Sequence, residues 1–175
     1  MLHKKLHFAL LFAGICFSGS IMASATDVAE NVNQRLSWMK DVAGYKAVRH
    51  LPIEDLQQEA NVLAKSVAEA EKLGLDGHSV RPFIQAQMDA AKAIQYRYRA
   101  DWLTAPEAGW QPQPLDVIRT RLSQLNTTIL KDINENLQHK KLPDRDTFIQ
   151  TVKQPNLSEK EVLRLWQTLN EIKRQ

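Results

Sequence analysis

The sequence predicts an all-α fold, a single-domain helical bundle of about four long and two short helices. Two observations carry that prediction. Apolar residues recur at alternating steps of three and four through most of the chain, which places them on one stripe of a helix. No segment alternates apolar and polar residues like a strand, and the breaks fall at Pro- and Gly-containing stretches. Such stripes can be buried only by packing helix on helix.

Each element has its own start and stop. The first helix is expected from about Asp27, a residue type suited to an N-cap, to about Arg49, before Leu51-Pro52 breaks it. The second is expected from about Ile53-Glu54, with Leu56, Ala60, Leu63, Val67 and Ala70 inward and Gly74 closing it. The third should open at Ser79, carry Pro82 in its first turn and reach about Leu103. Thr104 to Pro114, "TAPEAGWQPQP", has three prolines and a glycine and reads as a loop. The fourth helix runs from Leu115 to about Leu137, with Ile118, Leu122, Leu125, Ile129 and Ile133 inward. After "KKLPDRD" a short helix is expected from about Asp146 to Lys153. A last one begins at Ser158, where Ser158 and Glu161 form a capping box.

The first 25 residues read as a cleaved secretory signal peptide, leaving a domain of residues 26–175. They have a basic start (Lys4, Lys5), an apolar run from Phe8 to Phe17 and an Ala23-Ser24-Ala25 cleavage site. This predicts a periplasmic protein. No other apolar run is long enough to span a membrane. The chain carries 23 Lys+Arg against 20 Asp+Glu. Loss of the two leader lysines, with no leader acid, leaves an excess of one positive charge, so nothing favours nucleic acid as a partner. The one cysteine, Cys16, lies in the leader, so packing alone must hold the mature domain.

Known catalytic patterns are missing. There is no G-x-S-x-G, no glycine-rich phosphate loop and no H-E-x-x-H. His50, His78 and His139 lack metal-ligand spacing, so no metal site and no cofactor is expected. What stands out is polar groups on inner faces. Arg35 and Lys46 share the stripe of Val32, Leu36, Met39, Val42 and Ala43. Their spacing returns to within ~20° of one direction, ~16 Å further along the axis. Two long cations so placed can converge on a small anion, although either alone could simply snorkel at the stripe's edge. Asp55 and Glu59, with Gln58 beside them, lie in a first turn, where acids ordinarily serve the helix dipole. Gln95, one turn after Ala91, and Arg119, beside Ile118 and Leu122, border apolar stripes.

These residues give the chain a resemblance to the exported, all-helical chorismate mutases. The similarity spans the mature chain and is densest in "RLSWMKDVAGYKAVRHLPIEDLQQE" and "VRPFIQAQMDAAKAIQYRYRADW". The family's arginine, the lysine eleven residues on and the aspartate nine further match Arg35, Lys46 and Asp55. Gln95 matches its Gln/Glu position, and Arg119 the arginine after the Pro-rich loop. Two positions depart: Gln58 stands where the family usually has arginine, and Ala91 where Ser or Thr is common. The resemblance implies rearrangement of chorismate to prephenate without a cofactor. Arg35 and Arg119 would clamp carboxylates, and Lys46 and Gln95 would donate to the breaking ether oxygen. Asp55, Gln58, Glu59 and Ala91 would line the substrate site, with Asp55 and Glu59 holding the ring hydroxyl or orienting the cations. It also implies a possible homodimer. The alternative from the residues alone is a non-enzymatic periplasmic helical binding or adaptor protein.

Overall fold

The computed structural model describes residues 25–175, so the expected signal peptide lies outside the described residues apart from Ala25 at its end. Seven helical segments follow in order: α1 (Ala25–Ser37), α2 (Met39–Val48), α3 (Leu56–Lys72), α4 (Gly77–Thr104), α5 (Leu115–Gln138), α6 (Arg145–Thr151) and α7 (Glu159–Asn170). No strand occurs among the described residues. The expected four long and two short helices are present, with one correction: the first long helix is divided at Trp38. Trp38 keeps helical dihedrals and its carbonyl accepts from Val42 N at 3.1 Å, so α1 and α2 are nearly one helix with a single-residue defect.

The boundaries follow local chemistry. Asp27 lies within α1, which is described from Ala25 onward, rather than at a cap. The second long helix starts later than Ile53-Glu54, because the Asp55 side chain accepts from Gln58 N and caps α3. The third starts earlier than Ser79, because Asp76 caps α4 by accepting from Ser79 N. Pro82 therefore falls in the second turn, not the first. Gly74 closes α3 in the left-handed region (φ 86°), as a residue without Cβ allows. The Ser158–Glu161 capping box opens α7 as expected.

The longest helix, α4, spans about 42 Å at 1.5 Å per residue and packs against α2, α3 and α7, while α1 packs on α5 and α6. The core joins Val28, Val32 and Leu36 of α1 to Phe83, Ile84 and Ile94 of α4. Ile118, Ile129 and Ile133 of α5, Phe148 and Leu165 close it from the other side. The inward stripe of α5 is as expected, except that Leu122 and Leu125 are only partly buried. Leu122 is partly open because it faces a cavity.

Candidate active site

That cavity lies where α1, α2, α3 and α5 meet. It encloses about 570 Å³ and is lined by Arg35, Lys46, Asp55, Gln58 and Arg119 together with apolar Val42, Val62 and Leu122. An adjoining cavity of about 150 Å³ shares Arg35, Lys46, Asp55 and Gln58 and adds Glu59, Met88, Ala91 and Gln95 from α3 and α4. All eight residues singled out in the sequence are thus brought to one place. The combined size suits a small organic ligand.

The cations are held differently. Arg35 sits on the last turn of α1, its Nη1 is out of contact with solvent, and no protein group accepts from it. Burial lowers its pKa to about 10. A guanidinium in that condition carries uncompensated charge. Lys46, in the last turn of α2, donates from Nζ to the Ile53 carbonyl at 2.5 Å. Its pKa is lowered, first by burial and then by repulsion from Arg119 and Arg99, against the attraction of Asp55 and Glu59. Arg119 lies on the second turn of α5, exposed at the cavity wall, with no hydrogen bond or ion pair to a described residue. Arg35 and Lys46 share a face even though the helix between them is interrupted, because the defect at Trp38 preserves helical dihedrals.

The polar groups are more constrained. Gln95 is buried. Its Nε2 donates to the Ala91 carbonyl at 3.1 Å and contacts Met39 Sδ at 3.6 Å, while its Oε1 has no partner. With alanine at 91, no neighbouring hydroxyl holds that amide. Asp55 accepts from Gln58 N at 3.0 Å, so its first task is the helix cap. Glu59 accepts from Asp55 N at 3.3 Å and pairs with Lys92 at 2.8 Å. Lys92 lines the smaller cavity and was not picked out in the sequence. Its one signal was adjacency to Ala91; the pairing depends on how α3 lies along α4, which helical period does not reveal. Glu69 of α3 also lines the larger cavity, held by Thr127 Oγ1 at 2.5 Å and Asn126 Nδ2 at 3.4 Å.

This arrangement suits an anion site inside a helical bundle: Arg35, Lys46 and Arg119 come from three helices, Arg35 Nη1 is buried without a partner, and Asp55, Glu59 and Glu69 are tied to other groups. Comparison with known proteins gives the class. The family model for chorismate mutase type II matches residues 19–96. The secreted chorismate mutase of Yersinia pestis is 52% identical over 145 residues, covering 81% of this chain and 78% of that protein. The monofunctional chorismate mutase of Enterobacter agglomerans is 39% identical over 178 residues, covering 97% and 98%. The crystal structure of the Yersinia pestis protein superposes with a TM-score of 0.83 at 50% identity, covering 85% of this chain and 98% of that one. The chain belongs to the chorismate mutase family of enzymes. The family model stops before Arg119, which the structure brings to the cavity wall.

Proposed function

We propose that this enzyme converts chorismate to prephenate in the cavity between α1, α2, α3 and α5. The observation that carries the reading is Arg35. Its Nη1 is cut off from solvent and has no protein acceptor, so an anion that pairs with it relieves an uncompensated charge, and chorismate is a dianion. The reaction is a pericyclic exchange in which an ether C–O bond breaks as a C–C bond forms. It requires no proton transfer, nucleophile or cofactor. The protein's work is to hold a flexible substrate folded with its reacting carbons close and to stabilise charge growing on the ether oxygen.

Arg35 and Arg119 clamp the two carboxylates, a task that suits planar guanidinium. Lys46 Nζ donates to the ether oxygen. Gln95 joins it by turning Nε2 away from the Ala91 carbonyl, a rotation its unpartnered amide oxygen leaves unopposed. Asp55 and Glu59 favour the charged form of Lys46 against its burial, and Asp55 accepts from the ring hydroxyl. Gln58 adds a neutral hydrogen-bonding wall. A non-enzymatic adaptor gains no support from the relatives, which are named as enzymes.

Relatives named as secreted support export of this chain. Cleavage after Ala25 and residence in the periplasm are the finer reading, checked by N-terminal sequencing of the exported protein. No helix among the described residues is long and apolar enough to cross a membrane. A homodimer, carried over from the resemblance, is checked by sedimentation. The activity itself is tested by adding chorismate and following loss of its ultraviolet absorbance. No loss above the uncatalysed rate would overturn the assignment.

A further inference from the structure

Of the three cations, Arg119 has the least local support. In the first half of α5 only Ile118 is fully buried, and the N-cap residue, Pro114, offers no side-chain cap. What precedes α5 is held tightly. The loop of residues 105–114 lies on α2 through several separate contacts. Trp110 sits against Gly44 so closely that a Cβ there would lie 2.6 Å from two of its ring carbons and 3.2 Å from Pro112 Cβ. Lys40 Nζ stands 4.6 Å from the Trp110 ring centroid and pairs with Glu107 at 2.7 Å. Gln113 N donates to Asp41 Oδ1 at 2.9 Å. Trp102 packs on Trp110 from α4, with ring centroids 5.7 Å apart. A helical glycine is ordinarily unfavourable, and Gly44 is accounted for by the indole it admits.

We propose that Trp110, seated on Gly44, is a positioning residue for Arg119: it fixes the start of α5 against α2 and thereby holds the guanidinium at the cavity wall. The inference rests on the proposed function for its activity arm. Lys46 is on the helix that Trp110 grips and Arg119 on the helix that the loop launches. The clasp therefore sets the spacing between the group at the ether oxygen and one carboxylate clamp. Misplacement by about 1 Å can lower a rate by as much as 10²-fold without removing any contacting group.

The test is a double-mutant cycle on the mature chain, with chorismate as substrate. Trp110→Ala should lower kcat/KM on the order of 10-fold or more, and Trp110→Phe, which keeps a ring on Gly44, should restore most of it. In an Arg119→Ala background the same Trp110→Ala change should matter less than about twofold, because non-additivity marks coupled residues. Gly44→Ala gives an independent route. It improves helix propensity yet pushes the indole out, so activity should fall with helicity retained. Additive losses, or a Trp110→Ala variant within twofold of wild type, would overturn the proposal. Hydrogen exchange separates this failure from failure of the functional reading. Whether or not chorismate turns over, Trp110→Ala should speed exchange in residues 115–123 and leave the buried centre of α4 unchanged. Unchanged exchange at 115–123 would also overturn it.

Discussion

Replacing Arg35 with methionine should make the protein more stable and nearly inactive. The side chains are similar in reach, so the swap removes charge without opening a large void. Burial lowers the Arg35 pKa to about 10, a loss of two to three decades of proton affinity. At ~1.4 kcal/mol per decade this is roughly 3 kcal/mol by which folding disfavours the charged form. The folded pKa lies below the unfolded one, and the group is a base. Its penalty is therefore fully present at neutral pH and fades only as pH rises from about 10 toward the unfolded value. Methionine relieves that penalty but gives up the guanidinium's remaining contacts with solvent, so a net gain of about 1–3 kcal/mol is expected. For a domain of this length that is a rise in Tm of roughly 3–10 °C.

The assay is thermal unfolding of ligand-free wild type and Arg35→Met side by side at pH 7, then kcat/KM for both. A bound transition-state analogue should raise the Tm of wild type far more than that of the variant, since only the protein that binds it gains. The result that refutes the reasoning is a variant whose Tm falls by several degrees. That outcome would mean the folded protein satisfies the guanidinium, and that its unpaired Nη1 is not the source of anion affinity.

Three other predictions follow from the site. Lys46→Ala should lower kcat by about 10²–10³-fold, as for loss of an oxyanion donor, with no drop in Tm; near-normal kcat would remove Lys46 from the chemistry. Gln58→Arg adds a cation to the shared wall of both cavities and should lower KM several-fold; a folded but slower variant would mean that the site is tuned around glutamine. Because the Lys46 pKa is lowered, kcat/KM should decline as pH rises through a range below that of ordinary lysine. The limb for kcat should lie at higher pH, since bound dianion favours the charged amine; coincident limbs, or a limb surviving in Lys46→Gln, would assign the titration elsewhere.

The helices were legible because each writes its own evidence into the chain: a stripe, a cap, a proline or glycine stop. The boundaries that moved did so by local competition. Asp76 outbid Ser79 for the α4 cap, and Asp55 took the α3 cap from the residues before it. The cations were legible for the opposite reason. Arg35 and Lys46 contradict the stripe they occupy, and a local rule broken without a local gain points to function. What stayed hidden depends on tertiary register. The Lys92–Glu59 pair joins α3 to α4, and the seat of Trp110 on Gly44 joins a loop to α2. No helical period contains either contact.

The acids of the cavity explain why the cations remain available. A carboxylate beside Arg35 would relieve its burial, but it would also compete with the substrate for the same guanidinium. Each acid near the site with a resolved partner is engaged elsewhere. Asp55 is bound to the α3 backbone, Glu59 to Lys92 and Asp55 N, and Glu69 to Thr127 and Asn126. Asp55 and Glu59 contribute negative potential that partly offsets the burial of Lys46, without pairing with Arg35 or Arg119. Lys92 has a matching role, since it prevents Glu59 from turning toward the cations. Removing that restraint should harm activity more than removing the acid itself. Lys92→Met leaves a free carboxylate at the wall of the smaller cavity, whereas Lys92→Met with Glu59→Gln leaves none. The double variant should therefore be the faster enzyme of the two. The reverse order in kcat/KM would show that Glu59 acts on the substrate directly and that Lys92 only neutralises it.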